Sequence, residues 1–175
     1  MEISNFKIGN GRVFIIAEIG NNHNGSLEKA IEMIDDSIEI GVDCVKFQMR
    51  HIDEVYRKRS LQKDGEDLGT EYVIDLLKKF ELTLEEHKKV ADYCNEKGIL
   101  YMCTAWDEKS VDILESYGVT AYKVASADLT NMPLLKKLSS MKKPLILSTG
   151  MSKEDEIIKT TSFLNSKNTS FALLH

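Results

Sequence analysis

Lysine is costly to bury without an anionic partner, yet this chain sets two lysines inside apolar runs. Lys46 stands in VKFQ (residues 45–48) and Lys123 in YKVAS (residues 122–126), and neither has an obvious acid beside it in sequence. Two ammonium groups aimed into one cavity repel unless an anion lies between them, and a phosphate or carboxylate would supply it. Hydroxyl donors end neighbouring apolar runs: Thr104, Ser126, and the pair Ser148 and Thr149. Glu18, in FIIAEIGNNHNG (residues 14–25), and Asp128 supply carboxylates able to position a hydroxyl or move a proton. Together these groups describe a site for a small anion and a hydroxylated partner.

For such groups to meet, the runs that carry them must lie side by side and end together. Strands are expected at 14–19, 43–49, 99–104, 120–125, 145–149 and 170–175. Side chains alternate faces along a strand, so Cys44, Lys46 and Gln48 share one side of the second strand, and Val45, Phe47 and Met49 the other. Lys123 and Ser126 have opposite parity, so Ser126 must stand where its strand has already turned into loop.

Helices fill the gaps. Residues 26–40 place Leu27, Ala30, Ile31, Ile34 and Ile38 on one stripe, with Ser26 as cap and Gly41 as stop. Thr83 and Glu86 form a capping-box signature before a stripe of Leu84, His87, Val90, Ala91 and Cys94. Asp107 caps a helix over 108–117, Pro133 opens a short one, and Ser152 is expected to cap the last. The charged connection 50–82 contains one helical segment at 71–80, and a connection of this length often covers a site.

Strand–helix repetition predicts a parallel α/β architecture. The turn GNNHNG after the first strand lacks the G-x-G-x-x-G pattern of a dinucleotide-binding sheet. Polar groups at the C-terminal ends of several strands suit a (β/α)8 TIM-type barrel instead, which needs eight strands and typically ~250 residues. Residues 1–175 are therefore read as a single barrel domain, apparently truncated after its sixth strand. Such an open sheet is expected to aggregate through its unpaired edges.

Composition narrows the partners. The net charge of −5 argues against nucleic acid, and the basic stretch at 57–59 is too short to reverse that. No apolar run approaches the ~20 residues of a membrane span, and MEISNFKIG lacks a signal core, so a cytoplasmic location is expected. Cys44, Cys94 and Cys103 show no zinc or dithiol spacing and read as buried reduced thiols. His87 has no second ligand three or four residues on, and reads as an edge-of-core residue.

The ordered motifs IIAEIGNNHNG, VKFQ, YKVASADLTNMPLL and LSTGMS resemble the N-acetylneuraminate (sialic acid) synthase family and its legionaminate and pseudaminate relatives, over essentially the whole chain. That resemblance implies a transferase of sialic acid biosynthesis. It would condense phosphoenolpyruvate with an N-acetylated amino sugar, such as N-acetylmannosamine, to a nine-carbon keto-acid and phosphate. It also implies a (β/α)8 barrel followed by an antifreeze-like domain, a domain-swapped homodimer, and Mn2+ or Mg2+ as cofactor. Lys46, Thr104, Lys123, Ser126 and Ser148 match positions that hold phosphoenolpyruvate, while Glu18 and Gln48 match positions that face the sugar. Asp128 stands where many members have Glu, and with Glu18 forms the candidate catalytic pair. The family's metal-binding histidines lie beyond the sixth strand; His23, His51 and His175 match neither, so the ligands are expected past His175. On this reading the chain by itself is expected to be inactive or nearly so. Two alternatives stand beside it: a Schiff-base aldolase with Lys123 as nucleophile, and a non-catalytic fragment that binds phosphoenolpyruvate.

Overall fold

The computed structural model describes residues 1–56 and 68–175. The basic stretch at 57–59 lies outside the described residues. Chain order is β1 (Glu2–Ile3), β2 (Phe6–Lys7), β3 (Ile16–Gly20), α1 (Leu27–Glu39), β4 (Cys44–Met49), α2 (Ile52–Val55), α3 (Leu68–Phe80), α4 (Leu84–Lys97) and β5 (Leu100–Ala105). It continues with α5 (Glu108–Ser116), β6 (Tyr122–Val124), a 3-10 turn (Ser126–Asp128), α6 (Met132–Ser140), β7 (Leu145–Ser148), α7 (Glu154–Ser166) and β8 (Phe171–Leu174).

Strands β3 to β8 form one six-stranded sheet in strict sequence order, every adjacent pair parallel. A doubly wound sheet would reverse its strand order at a switch point. None occurs here, so the chain winds in one direction as a barrel does. The expected alternation holds. Val45, Phe47 and Met49 enter the large apolar layer with Ala30, Ile34, Val90 and Cys94 from the helices. Cys44 instead joins Met102, Ala121 and Ile146 in a second cluster on the concave side.

That inner cluster also takes Ile3, 1% exposed, from the β1–β2 hairpin. The hairpin was not legible in MEISNFKIG, because two-residue strands carry no periodicity. It packs apolar groups into the concave side, and the polar inward residues lie further along the strands, toward their C-terminal ends.

Caps explain most helix boundaries. Ser26 accepts from the Lys29 amide, Thr83 and Glu86 complete a reciprocal box, and Asp107 accepts from the Ser110 amide. Two expectations shift. The last helix is entered through Lys153, whose amide donates to Glu156 at 2.8 Å; Ser152 is held one residue earlier, in a turn closed on the Thr149 carbonyl. Leu84 is 46% exposed, since it occupies the first helical position, where the buried stripe of His87, Val90, Ala91 and Cys94 has not yet begun. All three cysteines are free and buried, which pushes each thiol up to about 12.

Candidate active site

Register builds the site. Glu18 on β3 pairs with Lys46 on β4, Gln48 with Thr104 on β5, and Thr104 with Lys123 on β6. Side chains that share a face therefore stand in adjoining rows. Lys46 Nζ lies 2.8 Å from Glu18 Oε1, 2.7 Å from Glu18 Oε2 and 3.0 Å from Thr104 Oγ1. The lysine side chain is 6% exposed and the carboxylate 55%, so the pair runs from the interior toward solvent.

Among the described residues Lys123 has no such carboxylate. Its Nζ donates to Ser148 Oγ at 2.8 Å and to the Val124 carbonyl at 2.6 Å. Its pKa is lowered to about 8, chiefly by burial and next by the Lys46 charge, with Glu18 opposing both. The two lysines thus feel one another across the concave face, and the Glu18 carboxylate is hydrogen-bonded to Lys46.

Gln48 lies above Lys46 and its Oε1 accepts from an Arg50 Nη2 donor. Ser126 opens the 3-10 turn just past β6, as its parity required. Asp128 closes that turn: Asn131 Nδ2 donates to its Oδ1 at 3.0 Å, while its buried Oδ2 meets no partner among the described residues. Burial raises the Asp128 pKa, the Asn131 hydrogen bond opposes the rise, and nearby Asp107 adds to it. Thr149, by contrast, donates its hydroxyl to the Leu174 carbonyl at 2.9 Å and so fastens β7 to β8.

The histidines take structural positions. His23 Nδ1 accepts from the Gly25 amide at 3.1 Å, so it ties the NNHNG turn together, while burial lowers its pKa. His51 Nδ1 lies 3.0 Å from Asp107 Oδ1 and 3.3 Å from Ser110 Oγ. Both partners meet the same ring nitrogen, whereas a Ser-His-Asp relay needs them on opposite nitrogens. His87 is 3% exposed, deeper than an edge-of-core position. Among the described residues no three His, Cys, Asp or Glu side chains converge as a metal set. The described residues therefore do not by themselves fit a divalent ion, and no step below runs through one.

Arg50 and Trp106 escaped the sequence reading. The Arg50 guanidinium lies 4.8 Å from the Trp106 ring centroid, and Trp106 walls a cleft of about 470 Å3 with Asp107, Asn131 and Leu134. Neither residue belongs to a periodic stripe, so only the aromatic beside an aspartate in TAWD could have flagged the place.

A singly wound parallel sheet with cations, hydroxyls and carboxylates gathered at its strand ends belongs to the barrel class of small-molecule proteins. Within that class the chain belongs to the NeuB family, whose model matches residues 33–175. It is 35% identical over 179 residues to spore coat polysaccharide biosynthesis protein SpsE of Bacillus subtilis, covering 99% of this chain and 47% of that protein. It is 41% identical over 149 residues to N,N'-diacetyllegionaminic acid synthase of Legionella pneumophila, covering 82% and 41%. Among solved structures it resembles the N-acetylneuraminic acid (sialic acid) synthetase of Leptospira borgpetersenii in complex with citrate. There the TM-score is 0.86 at 32% identity, over 100% of this chain and 58% of that one. The chain spans about half the length of the curated relatives it matches.

Proposed function

We propose that this chain is the phosphoenolpyruvate-holding part of a synthase that condenses phosphoenolpyruvate with an N-acetylated amino sugar. One observation carries the reading: among the described residues Lys123 is a buried amine with no carboxylate hydrogen bond, donating to the Ser148 hydroxyl, on the same face as Lys46, which holds the Thr104 hydroxyl. A dianionic ligand is the partner such a pair lacks. Family membership supports the same substrate class.

In this reading Lys46, Lys123, Thr104, Ser126 and Ser148 bind the phosphate and carboxylate of phosphoenolpyruvate. Glu18 and Gln48 face the sugar, and Asp128, whose raised pKa favours keeping its proton, exchanges protons with the reacting oxygens. C3 of phosphoenolpyruvate bonds to the aldehyde carbon, the aldehyde oxygen takes a proton, water adds at C2, and the C2–O bond breaks to release phosphate. A homodimer, a Mn2+ or Mg2+ cofactor and a cytoplasmic location belong to the same proposal. No described helix is long and apolar enough to cross a membrane.

The test is calorimetric titration with phosphoenolpyruvate, followed by phosphate release in the presence of N-acetylmannosamine and Mn2+. With 18O in the bridging position, the label is expected in the released phosphate. Binding without release fits a ligand-holding fragment. The depressed Lys123 pKa also favours a second reading, a Schiff-base aldolase. Borohydride trapping of a carbonyl substrate on Lys123, with no phosphate released, would establish that one instead.

A further inference from the structure

Arg50 is placed to control Gln48. Its side chain is 5% exposed, lies over Trp106, and has its Nε 3.0 Å from Glu81 Oε1. That last contact is a charge pairing and not an aligned hydrogen bond, because both atoms lack a hydrogen-bond partner. The aligned bond goes elsewhere, from Nη2 to Gln48 Oε1. Arginine has only donors, so whatever its neighbour offers must be an acceptor. The oxygen of the Gln48 amide must face Arg50, and the amide nitrogen must face away.

That direction is set by geometry on the far side. A Cβ built on Gly20, whose φ is +55°, would stand 3.3 Å from Gln48 Nε2 and 3.4 Å from Glu18 Oε1. The amide donor and the carboxylate acceptor therefore border the same space, which stays open because residue 20 has no side chain. A hydroxyl between them can donate to Glu18 and accept from Gln48 at once.

We propose that Arg50 is a positioning residue: by occupying Gln48 Oε1 it turns Nε2 toward Glu18 and makes this corner a recognition point for a hydroxyl of the amino sugar. Trp106 and Glu81 hold the guanidinium in place, so the connections that follow β4 and β5 converge on the orientation of one amide. The role in recognition rests on the reading above, that the sugar approaches Glu18 and Gln48.

Two measurements test it on the polypeptide as its gene encodes it. A nuclear Overhauser contact between the Gln48 Nε2 protons and Gly20 Hα is expected in the unaltered protein and lost in Arg50→Met. In steady-state condensation, Arg50→Met is expected to raise the amino-sugar KM about tenfold, as for one lost hydrogen bond to substrate, with the phosphoenolpyruvate KM held within about twofold. Arg50→Lys keeps a charge beside Glu81 and a donor for Gln48, and recovers most of the loss. A contact that persists in a folded Arg50→Met protein overturns the proposal, as does a parallel rise in both KM values. If Arg50→Met does not fold, Gln48→Glu serves: it keeps a partner for Arg50 but removes the donor, and an unchanged sugar KM overturns the proposal. Failure of the unaltered protein to bind phosphoenolpyruvate would sink the proposed function, while the Overhauser contact would still decide what Arg50 does. Where it binds without releasing phosphate, that contact alone decides, and its persistence in Arg50→Met overturns the proposal.

Discussion

Lys46 Nζ lies between both oxygens of Glu18, at 2.8 and 2.7 Å, and Thr104 Oγ1, at 3.0 Å. The pair couples stability to ligand binding. Glu18→Gln leaves a buried ammonium with only neutral partners, which is expected to cost about 1–2 kcal/mol, limited because the carboxylate is half in water. The same change removes a negative charge from an anion site. Phosphoenolpyruvate binding is expected to hold or tighten while condensation falls, checked by urea unfolding and calorimetry on one preparation. Weakened phosphoenolpyruvate binding would argue that Glu18 orders the site more than it repels the ligand.

Lys123 carries the opposite trade. Its folded pKa, about 8, lies below the ordinary lysine value of 10.5. Between those values the unfolded chain binds the extra proton, so this group's contribution to stability rises as pH climbs from 8 to 10.5. Ligand affinity runs the other way and falls as pH rises through 8, because the neutral amine no longer attracts an anion. Lys123→Met is expected to raise the melting temperature at pH 7 and abolish phosphoenolpyruvate binding. Titrations near pH 8 in buffers of different ionisation enthalpy are expected to show proton uptake on binding.

Gly25 and Gly41 separate backbone strain from collision. Both have positive φ, +78° and +76°. A Cβ at Gly25 would stand 2.7 Å from the Lys79 carbonyl oxygen, whereas one at Gly41 meets nothing within 4 Å. Gly41→Ala is expected to cost about 1–2 kcal/mol from backbone conformation alone. Gly25→Ala is expected to cost distinctly more and to loosen the turn from α3, measured by denaturant midpoints. Equal losses would show that α3 yields freely.

His87 makes the fold acid-sensitive. Its pKa is lowered from 6.5 to about 4, chiefly by burial and next by nearby His23, with Glu86 opposing them. Above pH 6.5 both folded and unfolded states hold it neutral. As pH falls from 6.5 to 4 only the unfolded chain takes the proton, so stability is lost across that window. His87→Leu is expected to flatten this part of the melting-temperature profile, leaving the share due to His23.

Much of this was legible in local pattern. The helix caps at Ser26, Thr83 and Asp107, the split faces of β4, and Ser126 beyond its strand all follow from spacing within a few residues. The β1–β2 hairpin was not, being too short to show a period, nor was the exposure of Leu84, which depends on where the neighbouring layer begins. Trp106 was missed because it meets Arg50 across 56 positions of chain, and Arg50 because nothing in the local pattern shows that its guanidinium turns back to Gln48 two residues before it.

From the sequence alone followed the order of the six parallel strands and of the longer helices, though not α2 within the 50–82 connection, the face on which each lysine must lie, and the family the motifs resemble. Those depend on periodicity and on short-range capping, which the chain carries locally. Only the tertiary structure decided which charges neutralise one another: that Glu18 serves Lys46 and leaves Lys123 without a carboxylate bond, and that the Gln48 oxygen is taken by Arg50. Charge pairing and desolvation act through space, so they appear only once register has brought distant residues side by side.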